Sequence, residues 1–150
     1  MDINQSITTT SPRETARLGQ EMGNRIRRRR GHAPAFCLYG ELGSGKTTFA
    51  QGFAKGLGIT TRLLSPTFII VRRYPIPRQT GFLYHIDLYR MEGEKDFLGL
   101  GLQEIFADPD SIVLVEWAEK MGDLLPQPRI DVCFEVLEDE KHKIWKKKQL

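Results

Sequence analysis

The sequence predicts an α/β protein in which a mixed sheet, mostly parallel with one antiparallel hairpin, is flanked by helices. Short apolar runs typical of buried strands alternate with segments in which apolar residues recur at helical spacing. A glycine-rich loop joins one of these strands to the next helix, and the short segment "PIPRQTG" separates two others, as in an antiparallel hairpin. Because no internal repeat or long linker divides residues 1–150, we expect a single domain.

The composition is typical of a globular protein. Hydrophobic residues make up 40% of the chain and charged residues 27%, which argues against wholesale disorder. No apolar run is long enough for a membrane span or for the core of a secretory signal. We therefore expect a cytoplasmic protein that does not act at a membrane.

The net charge of +3 includes two basic clusters, "RIRRRR" and "KHKIWKKK". Such clusters can neutralise the phosphates of a nucleic acid. They can equally be the solvated end of a helix and a solvated terminal segment, so by themselves they leave both interpretations open.

The first predicted element is a helix that begins at "SPRET". Ser11 can cap this helix, Pro12 suits its first position, and Glu14 completes a capping box. Apolar residues then recur every four positions from Leu18 to Ile26, which gives the helix one apolar stripe. The arginines that follow fall in its last turn, where the helix dipole favours positive charge.

The rest of the chain is predicted to contain six strands and two further helices. One helix follows the glycine-rich loop and stops near Gly58, and the other, weaker because it contains two glycines, is "DFLGLGLQEIFAD". The predicted strands are "AFCLY", "TFIIVRRY", "FLYHIDLYR", "SIVLVEW", "RIDVCFEVLE" and "KHKIWKKKQL".

The glycine-rich loop fits the phosphate-binding pattern G-x-x-x-x-G-K-[ST], and it lies between a strand and a helix as that pattern requires. Glycines allow backbone N–H groups to face phosphates, and the helix N-terminus adds its dipole. Lys46 is expected to pair with the β- and γ-phosphates, and the Thr47 hydroxyl to ligate Mg²⁺. The residues expected to bind the nucleotide through this loop are Gly43, Ser44, Gly45, Lys46, Thr47 and Thr48.

Two carboxylates at the ends of predicted strands are candidates for the same site. Glu116 ends "IVLVE" and Asp87 follows "YHI", and a carboxylate at a strand end commonly steadies the metal in nucleotide hydrolases of this kind. Either residue could also position the attacking water, and the sequence does not decide between them.

The nucleotide is expected to be ATP, because the tetrapeptide N-K-x-D that would favour guanine is absent from the chain. Two other function classes stay open at this point. One is a small-molecule kinase that uses the same loop, and the other is a nucleic-acid-binding module in which the loop is only a switch.

Six sequence blocks occur in this order along the chain: "ETARLG", "GELGSGKTTFAQGFAKGLGI", "SPTF", "YHIDLYR", "LVEWAEK" and "LPQPR". Taken together, these blocks resemble the bacterial TsaE-type ATPases, which take part in making threonylcarbamoyladenosine in transfer RNA. The resemblance implies a mixed sheet flanked by helices and slow hydrolysis of ATP with Mg²⁺. It also implies a complex with a TsaD-type threonylcarbamoyl transferase and a TsaB-type partner protein, through which transfer RNA is reached indirectly.

The resemblance also implies roles for particular residues. Thr47 and Glu116 correspond to metal ligands, with Asp87 as a further acidic group in the site. Residues 65–68 resemble a switch-like segment in which Thr67 senses the γ-phosphate. Trp117, beside Glu116, corresponds to a functional position.

For the adenine, the resemblance places contacts at Ser11 and Arg13, although family members often carry an acidic residue at the second position. A basic residue on the last strands commonly approaches the nucleotide, and Lys141 or Lys143 stands where arginine is usual.

His85 is expected to be a packed strand histidine that could orient Asp87.

Overall fold

The computed structural model of the protein describes residues 4–29, 31–64 and 70–149. In this part of the chain, seven strands and four α-helices form the framework, and two 3₁₀ turns follow the fifth strand. The strands are β1 (Ser6–Thr9), β2 (Ala35–Tyr39), β3 (Val71–Pro75), β4 (Phe82–Asp87), β5 (Ile112–Glu116), β6 (Arg129–Val136) and β7 (His142–Gln149). The helices are α1 (Pro12–Arg27), α2 (Lys46–Gly56), α3 (Glu94–Phe97) and α4 (Leu102–Ala107).

These strands form one sheet in the order β1-β7-β6-β2-β5-β4-β3. The central pairs β6–β2, β2–β5 and β5–β4 are parallel, and the pairs β1–β7, β7–β6 and β4–β3 are antiparallel. Five of the seven described strands therefore run in one direction. The predicted mixed sheet with an antiparallel hairpin is confirmed.

The sheet order brings three candidate functional segments together at the carboxyl ends of its central strands. Strands β2, β5 and β4 are parallel neighbours, so their carboxyl ends lie side by side. The glycine-rich loop leaves β2, and Glu116 and Asp87 end β5 and β4. Crevices at the carboxyl ends of such strands are the usual ligand sites of α/β sheets.

Helix α1 begins as its sequence predicts. The Ser11 hydroxyl accepts a hydrogen bond of 3.2 Å from the Glu14 N–H, and Pro12 is the first helical residue. In a regular capping box, the Glu14 carboxylate would accept a hydrogen bond from the Ser11 N–H. Here it accepts instead from the N–H of the preceding residue, Thr10, at 2.6 Å. A cap of this kind stabilises a helix by about 1 kcal/mol.

Helix α1 packs closely on α2 because glycines line the contact. A Cβ atom on Gly52 would lie 1.9 Å from the carbonyl oxygen of Ala16, a distance that no side chain can occupy. This close approach holds the second turn of α1 against the second turn of α2. A larger residue at position 52 would force the two helices apart.

The sheet carries a hydrophobic core on each face. Alternate residues of β2 point to opposite sides, so that Phe36 and Leu38 pack in one core while Ala35 and Cys37 pack in the other. This confirms that "AFCLY" is a strand buried on both faces. Burial raises the pKa of the Cys37 thiol to about 12, so this side chain behaves as a small core residue.

The structure differs from the predicted elements in two places. The helix predicted over "DFLGLGLQEIFAD" is interrupted between α3 and α4, where Gly99 and Gly101 have φ angles of 83° and 73°. Strand β1 was not predicted, because its four residues carry no clear alternation and are ordered by pairing with β7. In the described part of the chain, no helix has the length and apolarity needed to cross a membrane.

Candidate functional site

The glycine-rich loop forms a sharp turn between β2 and α2. Gly45 precedes the helix with φ of 106°, a left-handed conformation that favours glycine. A Cβ atom there would lie 3.3 Å from Thr15 Cγ2 on α1. Gly45 has no side chain in front of the first N–H groups of α2. Free N–H groups at a helix N-terminus that follows a glycine-rich loop commonly bind phosphate.

Lys46 is the buried positive charge of this loop, with only 5% of its surface exposed. Its Nζ atom donates to the carbonyl oxygens of Gly40 and of Glu41, the latter at 2.9 Å. The same atom lies 3.9 Å from the centroid of the Trp117 ring. Burial lowers the pKa of Lys46, and nearby carboxylates oppose that shift. In order of effect, these carboxylates are Glu119, Glu116, Asp87 and Glu41.

Thr47 and Glu116 meet directly in front of the loop. The Thr47 hydroxyl donates to Oε1 of Glu116 at 2.8 Å. Glu116 ends β5 and is 1% exposed, whereas Thr47 lies in the first turn of α2. The structure therefore brings together the two oxygen donors that the sequence named as metal ligands.

Asp87 lies beside Glu116 on the neighbouring strand, at the paired position in the sheet. Its Oδ1 atom accepts from the Tyr89 N–H at 3.0 Å. Burial raises the pKa of Asp87, and the negative charge of Glu116 raises it further, while the Tyr89 N–H acts in the opposite direction. Two carboxylates therefore face the same small region.

His85 contacts Glu116 rather than Asp87. Its Nε2 atom lies 2.5 Å from Oε2 of Glu116, and its ring is fully buried within β4. The expectation that His85 is a packed strand histidine agrees with this burial, but the suggestion that it orients Asp87 is wrong. The reason is the sheet pairing, since the His85 ring turns toward the adjacent strand β5, where Glu116 ends the strand.

Trp117 follows Glu116 in an unusual backbone conformation. Its φ of 59° is left-handed, which is uncommon for a bulky residue. The ring packs against Tyr89, with 5.0 Å between ring centroids, and covers Lys46. Such local strain often accompanies functional sites, and here it turns the indole over the lysine.

A cavity of about 230 Å³ lies in front of the loop. Its walls come from the start of α1, the loop, the first turn of α2, the end of β5 and the start of β7. The lining residues are Pro12, Thr15, Leu42, Gly43, Ser44, Gly45, Lys46, Thr47, Thr48, Glu116, Trp117 and His142. All six loop residues expected to bind the nucleotide thus share one cavity with Glu116, expected at the metal, and with Trp117.

Other predicted residues lie elsewhere. The Ser11 hydroxyl caps α1, and Arg13 lines a separate cavity of about 760 Å³ between α1, α2 and residues 59–63. Lys141 is exposed in the turn between β6 and β7. Thr67, with the rest of the proposed switch-like segment, lies outside the described residues.

Two residues near the loop were not singled out from the sequence. His142 at the start of β7 donates from Nδ1 to the carbonyl oxygen of Ser44 at 2.8 Å, so the side chain that reaches the loop belongs to the neighbour of Lys141. Among the carboxylates near Lys46, Glu119 opposes the lowering of the Lys46 pKa most strongly. Its position three residues after Glu116, within the block "LVEWAEK", was the available signal.

The residues present fit a magnesium ion bound together with a nucleotide. Thr47 and Glu116 provide oxygen donors, which this hard cation prefers, and magnesium sites commonly take only one or two ligands from protein and the rest from phosphates and water. Among the described residues, no group of three or more His, Cys, Asp or Glu side chains could hold a metal by itself. The site therefore suits a metal that arrives with phosphate.

Comparison with known proteins identifies the family. The family model described as threonylcarbamoyl adenosine biosynthesis protein TsaE matches residues 9–144. A crystal structure of Bacillus subtilis YdiB superposes with a TM-score of 0.76 at 32% sequence identity, covering 97% of this chain and 86% of that one.

Sequence relatives agree with the family model. The relative from Bacillus subtilis is 44% identical over 110 residues, which cover 71% of this chain and 65% of that protein. The relative from Treponema pallidum is 34% identical over 134 residues, which cover 89% and 93% of the two chains. Both are named tRNA threonylcarbamoyladenosine biosynthesis protein TsaE. The resemblance in sequence is thereby confirmed, and the chain belongs to the TsaE family.

Proposed function

We propose that this protein is a cytoplasmic, Mg²⁺-dependent ATPase that acts in the biosynthesis of threonylcarbamoyladenosine in transfer RNA. The observation that carries the proposal is the meeting of Lys46, Thr47 and Glu116 around one cavity at the N-terminus of α2. This set combines a phosphate-binding cation, a hydroxyl and a carboxylate, as nucleotide hydrolases of this type require.

The pathway is proposed from the relatives. Their names assign them to the biosynthesis of threonylcarbamoyladenosine in transfer RNA, and the match to the family model spans most of this chain. We propose that the chain works with a TsaD-type threonylcarbamoyl transferase and a TsaB-type partner protein. Transfer RNA is then reached through this complex.

For phosphate binding, the loop N–H groups and Lys46 act together. The Lys46 ammonium now donates to loop carbonyls, and a phosphate oxygen would be a stronger, charge-assisted acceptor for the same donors. Burial lowers the pKa of Lys46, and the nearby carboxylates, Glu119 most strongly, oppose that shift and so favour the charged form. Thr47 and Glu116 would hold Mg²⁺, which supplies positive charge for the phosphate oxygens during the reaction.

For the attacking water, we assign Asp87 the orienting role. Both oxygens of Glu116 already accept hydrogen bonds, from Thr47 and from His85. Asp87 is only half-buried and lies next to Glu116, so its carboxylate can accept a hydrogen bond from a water molecule at the γ-phosphate. The loop amides and Lys46 then stabilise the charge that develops on the transferred phosphoryl group.

The proposal is tested by measuring ATP hydrolysis with Mg²⁺, first for the purified protein and then with the two partner proteins added. We expect slow turnover that rises when both partners are present and that is lost in the Lys46→Ala variant. Turnover that ignores the partners but rises with a pool of small metabolites, with a phosphorylated product, would instead indicate a kinase.

A further inference from the structure

His85 is a buried polar residue that the phosphate-binding role does not by itself require. It lies in the middle of β4 with 0% of its surface exposed. Its Nε2 atom contacts Glu116 Oε2 at 2.5 Å, while its Nδ1 atom is buried and has no hydrogen-bond partner among the described residues. Burying an imidazole with one nitrogen unpartnered costs free energy. An apolar residue would fill this position without that cost.

The contact with His85 provides a hydrogen-bond partner for the second oxygen of the Glu116 carboxylate. An ionised carboxylate only accepts hydrogen bonds, so Nε2 carries the hydrogen and donates it to Oε2. On the other side, the Thr47 hydroxyl donates to Oε1. The two donors hold the carboxylate from opposite ends, and its plane is therefore fixed by residues of two different elements, β4 and α2.

We propose that His85 is a positioning residue for the magnesium site. By holding Oε2, it keeps Oε1 of Glu116 directed toward Thr47, where the ion of the nucleotide complex would be bound. Partners of this kind, which hydrogen-bond to a metal-binding carboxylate, typically change metal affinity or activity by about 10- to 100-fold when removed. This inference rests on the proposed ATPase function and adds a role for a residue that does not touch the nucleotide.

The alternative is that His85 only fills space in the sheet. Two substitutions of similar size distinguish the two roles. A packing role predicts that His85→Leu is tolerated better than His85→Gln, and a positioning role predicts the reverse. In His85→Gln, the side-chain amide can place an N–H donor near the former Nε2 position, so a positioning role is retained. In His85→Leu, the core is filled by an apolar side chain but Glu116 Oε2 loses its donor.

The experiment measures the affinity for a non-hydrolysable ATP analogue with Mg²⁺ and with EDTA, together with the melting temperature, for the unmodified protein and both variants. For His85→Leu we expect a stable fold and unchanged affinity in EDTA, with a loss of about tenfold or more in the affinity gained from Mg²⁺. For His85→Gln we expect most of that gain to remain. The rate of hydrolysis should follow the same order.

Different outcomes overturn different statements. If His85→Leu folds and keeps the full gain in affinity from Mg²⁺, His85 is a packing residue and the inference is wrong. If the unmodified protein does not bind the analogue at all, the proposed ATPase function fails and the inference fails with it.

A second measurement covers the case in which the variants do not fold. Nitrogen NMR of the unmodified protein labelled with ¹⁵N-histidine reports which ring nitrogen carries hydrogen. We expect the His85 hydrogen on Nε2, protected from exchange with solvent. A neutral ring with its hydrogen on Nδ1 would show that His85 does not donate to Glu116 and would overturn the inference.

Discussion

The Thr47 hydroxyl and the Glu116 carboxylate are 69 residues apart in the chain and share a hydrogen bond of 2.8 Å. Thr47 lies in the first turn of α2 and Glu116 is the last residue of β5, so the bond links the start of α2 to the middle of the sheet. Because both oxygens suit Mg²⁺, an ion held by the two residues would take the place of this direct hydrogen bond.

Removing the Thr47 hydroxyl should weaken the contribution of magnesium to nucleotide binding. We expect the increase in nucleotide affinity caused by Mg²⁺ to be about tenfold smaller in Thr47→Ala than in the unmodified protein. This change corresponds to the free energy of about one hydrogen bond to a charged group. Thr47→Ser keeps the hydroxyl and serves as the control. The check is calorimetric titration with an ATP analogue in Mg²⁺ and in EDTA, and equal behaviour of the two variants would remove Thr47 from the metal site.

Removing the Lys46 ammonium should weaken nucleotide binding whether or not Mg²⁺ is present. Charge-assisted hydrogen bonds of about 1.5–3 kcal/mol correspond to a loss of about 10- to 100-fold for Lys46→Ala. Lys55→Ala, in the last turn of the same helix and exposed, is the matched control. A similar affinity in both variants, measured by calorimetry, would count against phosphate binding by this loop.

Neutralising Glu116 should affect hydrolysis more than binding. Glu116→Gln keeps the size of the side chain but removes the charge that faces the proposed metal. We expect the rate of ATP hydrolysis to fall by about 100-fold, as for loss of a major electrostatic contribution in a site, with little change in analogue affinity in EDTA. Glu135→Gln, at an exposed position on β6, is the control, and equal losses of binding and rate for Glu116→Gln would indicate a structural role.

Neutralising Asp87 should stabilise the nucleotide-free protein while slowing hydrolysis. Burial and the charge of Glu116 raise the pKa of Asp87 in the folded state, so its ionised form destabilises the fold at neutral pH. Asp87→Asn removes this effect, and its melting temperature should exceed that of the unmodified protein at pH 7.

The raised pKa of Asp87 also determines how the stability difference between Asp87→Asn and the unmodified protein depends on pH. Below the unfolded value of about 4, Asp87 is protonated in both states and the destabilisation disappears. The advantage of Asp87→Asn should therefore shrink as the pH falls through the raised pKa toward that value. Thermal unfolding at several pH values checks this, and an advantage that grows on acidification would contradict the assigned shift.

Trp117 should report nucleotide binding by its fluorescence. Its ring now covers the Lys46 ammonium, and binding of phosphate would draw that ammonium toward the nucleotide. The chain has two tryptophans, so Trp145→Phe leaves Trp117 as the single reporter. We expect its emission to change saturably with an ATP analogue in this background, and an unchanged emission at saturation would mean that the lysine stays against the ring.

Much of the fold was predictable because local patterns agree with the tertiary structure. The cap at Ser11 and the apolar stripe of α1 depend on residues three or four positions apart. The run "AFCLY" is apolar at every position because β2 is buried on both faces. By contrast, β1 has no such pattern, and its pairing with β7 depends on residues more than 130 positions away.

The site shows the same division. The glycine pattern alone predicts a phosphate-binding loop, since the backbone conformation of Gly45 and the place of Lys46 follow from residues next to each other. The sequence indicated Glu116 and Asp87 as acids at strand ends, but it could not show that each oxygen of Glu116 has a hydrogen-bond partner, Thr47 or His85. It correctly predicted a packed His85, but the suggestion that this residue could orient Asp87 is wrong, because sheet pairing places its ring against Glu116.

The sequence by itself therefore determined the family, the class of fold and the phosphate-binding loop, all of which rest on short-range patterns or on the order of motif blocks. Only the tertiary structure decided that His142 rather than Lys141 reaches the loop and that Arg13 lines a different cavity. It also decided that His85 and Thr47 hold Glu116 between them. The physical reason is that these contacts join separate strands and helices, whose relative positions are fixed by packing of the two cores and by close approach of α1 and α2 at Gly52.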